Sequence, residues 1–335
     1  MKAAQITKYS KDLNVTVKEI ATPKPQANEV LIKVSYAAVN PLDLMNIHGS
    51  VKLIQDYSMP LTLGNEVVGE ITAIGSNVTP FKPGDLVYTR LPLAKIGGFA
   101  EYVAVDANAI WYTPTNLSAK EAVAVPLTGL TAYQGLTEEL AVEAGKTIFI
   151  PGGSGSFGQL AVPIAKSLGL TVIVSGNAEA REHILELGAD QYLDYRTTDY
   201  WQVLNDVDYV IDTRGAQDIE RELSIMKPGG RLLSLVAGPN KHFAITHQLP
   251  AWKRLLFGLV GKKWDKLASK AQVNYRFIFV RSDGQQLKKV TELVEKHHIT
   301  PAIDPHDFDL DHVQDALELV ANGKLAGKVV IRLTD

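Results

Sequence analysis

Two hydrophobic periods divide this chain. From the start to about residue 110, apolar positions recur every second residue. Segments 15–20 and 29–36 alternate as half-buried strands do, and 67–74 is strand-like. Turn residues separate them: Pro23 and Pro25, then Gly75-Ser76-Asn77, then Lys82-Pro83-Gly84-Asp85 ahead of a short strand at 86–88. Another short strand is expected at 99–105. At Ser118 the pattern turns helical, and Ser118 with Glu121 forms a capping box. After Lys146, strands expected at 147–150, 171–175, 191–193, 208–212, 231–236 and 275–280 are mostly separated by helical patterns. Such alternation predicts βαβ units, a parallel sheet and the α/β fold class. From Gly284 follow a helix, a short strand near Ile303, a second helix at 310–321 and a strand at 328–333. That last strand has no partner nearby in sequence and is expected to rejoin the β-rich part. The division expected is therefore a β-rich domain, 1–122 with 298–335, and a cofactor domain, 123–297. No internal repeat is present.

The most specific motif lies where strand 147–150 ends. Gly153-Ser154-Gly155-Ser156-Phe157-Gly158 matches G-x-G-x-x-G, with a strand before it and a helical pattern from Gln159 to Leu168 after it. The first glycine allows the tight turn, the second lets a pyrophosphate approach the backbone, and the third lets helix and strand pack closely. The helix start then offers unpaired N–H groups and the positive end of a dipole to the phosphates. The second strand of such a unit ends in Asp or Glu when the ligand is NAD. Here it ends in Ser175-Gly176-Asn177, with Arg181 four residues on. Ser175 and Asn177 are donors to a phosphate and Arg181 is a planar charged fork for it, which favours NADPH. The alternative for Arg181 is a solvated helix residue paired with Glu179 or Glu182.

Bulk composition narrows the class. The 335 residues are 46% hydrophobic and 21% charged, an ordinary globular mixture sized for about two domains. A net charge of -3 gives no reason to expect a nucleic-acid partner. With 0 cysteines there is no disulfide, no thiolate catalyst and no cysteine-bound zinc. The N-terminal residues lack an apolar signal stretch and no apolar run approaches the roughly 20 residues of a membrane span, so a cytoplasmic protein is expected.

Read in order, several short motifs resemble the medium-chain dehydrogenase/reductase superfamily, in its zinc-free quinone oxidoreductase branch (zeta-crystallin-like). They are Asn40-Pro-Leu-Asp43, Gly64-Asn-Glu-Val-Val-Gly69, Lys82-Pro-Gly-Asp85, Gly97-Gly-Phe-Ala-Glu-Tyr102 and Pro126-Leu-Thr-Gly-Leu-Thr-Ala-Tyr133. The glycine turn, Lys227-Pro-Gly-Gly-Arg231, Phe277-Ile-Phe-Val-Arg281 and Gly327-Lys328 complete the series. The resemblance covers essentially the whole chain. It implies a β-rich GroES-like catalytic domain, a Rossmann domain with a parallel six-stranded sheet, and the nicotinamide held between them. It also implies a homodimer joined through the strand around 277–280, an apolar edge that would otherwise be exposed.

The zinc-dependent relatives use a Cys near position 40 and a Gly-His-Glu. This chain has Asn40 and Asn65 there, and neutral Asn is a poor zinc ligand, so no metal is expected. Without a Lewis acid the acceptor must be electrophilic by itself: a quinone or an α,β-unsaturated carbonyl. The resemblance places Asn40 and Asp43 near the nicotinamide, with Asn40 as a hydrogen-bond donor to the substrate oxygen. Asp43 orients Asn40, or simply caps the helix that begins at Leu44. Thr128 matches a position that reaches the cofactor. The proton donor of enoyl thioester reductases is replaced by Val51. Tyr57 and His48 are the remaining candidates, against packing and an exposed loop position respectively. Tyr195, Val236, Phe279 and Lys328 complete the cofactor-binding set, Lys328 at the phosphates. In the segment 249–272, Trp252, Leu255, Leu256, Leu259, Val260, Trp264 and Leu267 recur at helical spacing among lysines. A cap over the cofactor site is expected there rather than a membrane-surface helix. Besides the NADPH-dependent quinone or enone reductase, two readings stay open: an NADPH-binding sensor with little turnover, and an enoyl thioester reductase.

Overall fold

The computed structural model describes residues 1–323 and 325–334 and divides into two compact units, Met1–Leu130 with Arg281–Asp335, and Thr131–Val280. In the first, β1 (Lys2–Ile6) pairs antiparallel with β2 (Thr16–Glu19), and β3 (Glu29–Ala38) is the long strand at the centre. A two-residue strand β4 (Leu61–Thr62) completes a three-stranded sheet with β1. Then come β5 (Glu66–Ile74), β6 (Leu86–Arg90), β7 (Tyr102–Asp106) and β8 (Trp111–Tyr112). Strand β3 pairs antiparallel with both β5 and β7, so its inward residues Val30, Ile32 and Val34 face one apolar core with Val67, Ile71, Val87 and Phe99.

The second unit holds β9 (Thr147–Ile150), β10 (Thr171–Gly176), β11 (Gln191–Asp194), β12 (Val207–Asp212), β13 (Met226–Ser234) and β14 (Asn274–Phe277). They form one parallel sheet in the order β11-β10-β9-β12-β13-β14. This is the doubly wound order 3-2-1-4-5-6, the Rossmann arrangement. Ile148, Phe149, Ile150, Val172, Val174, Val210 and Ile211 are buried, because helices on both faces demand continuous apolar strands rather than alternation. Strand β13 ends at Ser234, short of Val236, and β14 ends at Phe277, so Phe279 lies beyond it in non-strand chain.

The chain then returns to the first unit with β15 (Phe308–Asp309) and β16 (Val330–Arg332). Strand β16 pairs antiparallel with β3, as the lone terminal pattern anticipates. Ile303 forms an isolated bridge with Lys328 rather than a strand.

The unit boundaries differ from 123 and 297. The helix Gly284–Lys296 packs on the β-rich unit: Thr291 Oγ1 lies 2.8 Å from Tyr88 Oη, and Glu295 accepts bonds from Thr115 N and Oγ1 at 2.8 and 2.9 Å. Leu127 N donates to Glu66 Oε2 at 2.8 Å, which ties the 126–130 segment to the same unit. The segment expected to be a cap forms the helices Ala251–Val260 and Lys262–Lys270. Phe257, Trp264 and Ala268 are buried, whereas Trp252, Leu255 and Leu259 are 59%, 68% and 64% exposed. Among the described residues no helix is long and apolar enough to cross a membrane.

Candidate functional site

The glycine turn folds as its spacing requires. A Cβ on Gly158 would lie 1.8 Å from the carbonyl oxygen of Gly153, so only glycine fits where the helix passes back over the strand end. Gly155 is the opposite case. A Cβ there would meet nothing within 4 Å, and the backbone faces open space. Gly155 is also the N-cap of the helix Ser156–Ser167, and no side chain caps that helix. Its first N–H groups, with Ser154, Ser156 and Phe157 around them, are thus available to an anion. These features fit the pyrophosphate of a dinucleotide.

The adjoining strand end contains Gly176, to which the sequence pattern assigns no role of its own. A Cβ on Gly176 would stand 2.2 Å from Tyr192 Oη and 2.5 Å from Ser154 Cβ, so the end of β10 closes directly on the turn. Ser175 is buried, and Asn177 Oδ1 accepts a bond from Ala180 N at 3.0 Å, which caps the next helical turn. Arg181 is exposed, but its Nη1 donates to the carbonyl of Tyr192 at 3.1 Å, a third role beside the phosphate and solvent readings. Tyr195 is 58% exposed just past β11, and the unanticipated Arg196 guanidinium lies 5.7 Å from its ring centroid. Val236 is also exposed, beyond β13, and Phe279 is half-buried.

The β-rich unit holds a buried polar network. Pro41 opens the helix Pro41–His48, so the N-cap is Asn40 and not Asp43. Asp43 sits one turn in, and its Oδ2 accepts the Asn40 N–H at 2.8 Å. Its Oδ1 accepts Asn65 Nδ2 at 2.7 Å. Asn40 Nδ2 donates to Glu66 Oε1 at 2.9 Å and to the Ala38 carbonyl at 3.2 Å, so both amide protons are engaged inside the protein. Lys328 Nζ reaches Asn40 Oδ1 at 2.5 Å, Glu66 Oε1 at 2.8 Å and Thr128 Oγ1 at 3.4 Å. The three ammonium protons therefore point at three oxygens of this unit, where the resemblance had implied cofactor phosphates.

Burial sets the electrostatics of this network. Asp43 is 0% exposed, and desolvation, reinforced by Glu66, pushes its carboxyl up to about 7 against the bonds from Asn40 and Asn65. Arg90, fully buried at the end of β6, is pushed down to about 10 by the same desolvation. Its Nη1 donates to the Leu91 carbonyl, while Nε and Nη2 have no partner among the described residues. Burial holds the half-buried Tyr57 hydroxyl up at about 12, which makes it a poor acid at neutral pH. His48 is exposed, with Nδ1 2.9 Å from the Ser10 carbonyl. Glu66, Arg90 and Arg196 were missed. For Glu66 and Arg90 the available signal was a charged residue at the end of an apolar strand pattern.

Comparison with known proteins adds to this geometry. Residues 26–115 match the alcohol dehydrogenase GroES-like domain family and residues 187–331 the zinc-binding dehydrogenase family. The chain is 31% identical over 341 residues to 2-methylene-furan-3-one reductase of Solanum lycopersicum, covering 99% of this chain and 79% of that protein. It is 29% identical to the chloroplastic NADPH-dependent alkenal/one oxidoreductase of Arabidopsis thaliana, over 93% of this chain and 74% of that one. The solved quinone oxidoreductase of Coxiella burnetii superposes with a TM-score of 0.82 at 26% identity, covering 100% of this chain and 99% of that chain.

Proposed function

Because the chain belongs to the medium-chain dehydrogenase/reductase superfamily, in its quinone oxidoreductase branch, we propose that it is an NADPH-dependent reductase of quinones or α,β-unsaturated carbonyls that works without a metal. The observation that carries this reading is the open backbone at Gly155 ahead of an uncapped helix, the shape and polarity a dinucleotide pyrophosphate needs. The reduced nicotinamide supplies a hydride when bound. Hydride addition to the electrophilic acceptor leaves an oxyanion, and one proton, taken from water, completes the hydroquinone or the saturated carbonyl. The Rossmann unit's task is to bind and orient.

The metal-free reading rests on charge. At the positions of the zinc ligands stand two neutral amides, and the ammonium of Lys328 is already bonded to Asn40 and Glu66. A divalent cation beside that ammonium would be repelled. The Asn40 amide protons are engaged by Glu66 and Ala38, so Asn40 serves as a fixed part of this network rather than as a donor to the substrate. The homodimer is proposed through β14, which ends the six-stranded sheet and offers an unpaired edge to a second copy.

Steady-state NADPH oxidation with a panel of quinones, enones and enoyl thioesters tests the reading. Turnover with quinones or enones, unchanged by chelators, is expected. Tight NADPH binding with no turnover on any acceptor would replace it with the sensor reading.

A further inference from the structure

We infer that Arg196, stacked beside Tyr195, is the residue that receives the 2′-phosphate of NADPH, and that Arg181 is not. The inference rests on the nicotinamide-cofactor reading above and goes beyond it by assigning the discriminating charge. Ligands of a doubly wound sheet bind outside the carboxyl ends of its strands. Strands β10 and β11 run parallel, with Ser175 level with Leu193 and Gly176 level with Asp194. Their ends are tied together where Tyr195 N donates to the Gly176 carbonyl at 3.2 Å. Arg196 is therefore two residues past the end of β11, on the ligand side. Arg181 is anchored to the Tyr192 carbonyl, and Tyr192 is level with Val174, inside the sheet and short of its rim. Its guanidinium fastens the helix Arg181–Glu186 to the strand.

The neighbours of Arg196 suit the role. Its backbone N–H donates to Asp194 Oδ1 at 2.9 Å, which fixes the turn that presents it. The guanidinium lies beside the exposed Tyr195 ring, an amphipathic platform for an adenine. Its ion-pair partner is Glu179, from the turn that follows β10, at 3.3 Å, with side chains 56% and 70% exposed. An exposed pair of this kind is worth little and exchanges readily for a doubly charged phosphate, which Arg meets with a fork of donors. Glu179 is also the carboxylate closest in sequence to the strand end at which NAD enzymes hold the ribose hydroxyls. The Glu179–Arg196 pair thus sets the balance between the two cofactors.

The test uses adenosine 2′,5′-bisphosphate and adenosine 5′-monophosphate, which differ only in the phosphate at issue, titrated against the full chain by calorimetry. Arg196→Ala is expected to weaken the bisphosphate about tenfold or more while leaving the monophosphate within about twofold. Glu179→Ala should tighten the bisphosphate. Arg181→Ala should change both ligands alike and lower the melting temperature. Equal weakening of both ligands by Arg196→Ala, or a selective loss in Arg181→Ala, overturns the inference. If the wild type binds neither nucleotide nor NADPH, the cofactor reading itself fails. If it binds NADPH and Arg196→Ala is silent, only this assignment fails.

Discussion

Lys328 Nζ lies 2.8 Å from Glu66 Oε1, with the two side chains 8% and 0% exposed. The pair joins the last strand region of the chain to the start of β5. Each charge is buried only because the other is there, and Asn40 and Thr128 complete the ammonium's bonds.

Breaking that pair from one side is expected to be far worse than removing both charges. Lys328→Met should cost about 3–5 kcal/mol, because Glu66 is left as an uncompensated buried carboxylate. The double variant Lys328→Met/Glu66→Gln should recover a substantial part of that loss. Denaturant midpoints of the single and double variants measure it. Additive losses would mean that the two groups do not interact.

Gly155→Ala and Gly158→Ala should separate binding from folding. The first places a methyl in open space, so the melting temperature should hold while NADPH affinity falls about tenfold or more. The second drives a methyl into the Gly153 carbonyl, so the protein should lose stability before any ligand is added. Differential scanning fluorimetry with and without NADPH reads both effects.

Glu222 is buried beside Asp212 and Asp218, and desolvation first, then those charges, push it from 4.5 up to about 9. The unfolded chain releases this proton near 4.5 while the folded chain retains it to about 9. Folding stability from this group therefore falls as pH rises through that interval. Glu222→Gln should flatten the decline and melt above the wild type at pH 8–9. Parallel melting curves for the two proteins from pH 5 to 9 would contradict it.

Tyr57→Phe should lower turnover by less than about tenfold, since a general acid is worth roughly 10²–10⁴. The hydroxyl held up at about 12 is poorly matched to proton delivery at neutral pH. The pH profile of kcat should keep its shape. A lost limb in that profile would restore Tyr57 as the donor.

Much of the fold was legible because local chemistry repeats. The run 148–150 is wholly apolar and buried, the glycines follow at fixed spacing and a helical period comes next, so strand, turn and helix can be read from neighbours in sequence. Ends of elements were less legible. Pro41 shifts the cap from Asp43 to Asn40, and β14 stops at Phe277 while the apolar pattern continues to Val280. Hydrophobicity records burial, and burial outlasts the strand's hydrogen bonds there.

The sequence by itself determined the parallel cofactor sheet, the phosphate turn and the return of the final strand, because periodicity and glycine spacing are local properties. Only the tertiary structure decided the partners of the charged groups. Lys328 meets Glu66 across 262 positions of chain (328 minus 66), and Arg181 turns to a backbone carbonyl while Arg196 is left at the strand rim. A side chain's charge is written in the sequence, but its partner is fixed by which strands lie side by side, and electrostatic pairing acts through space rather than along the chain.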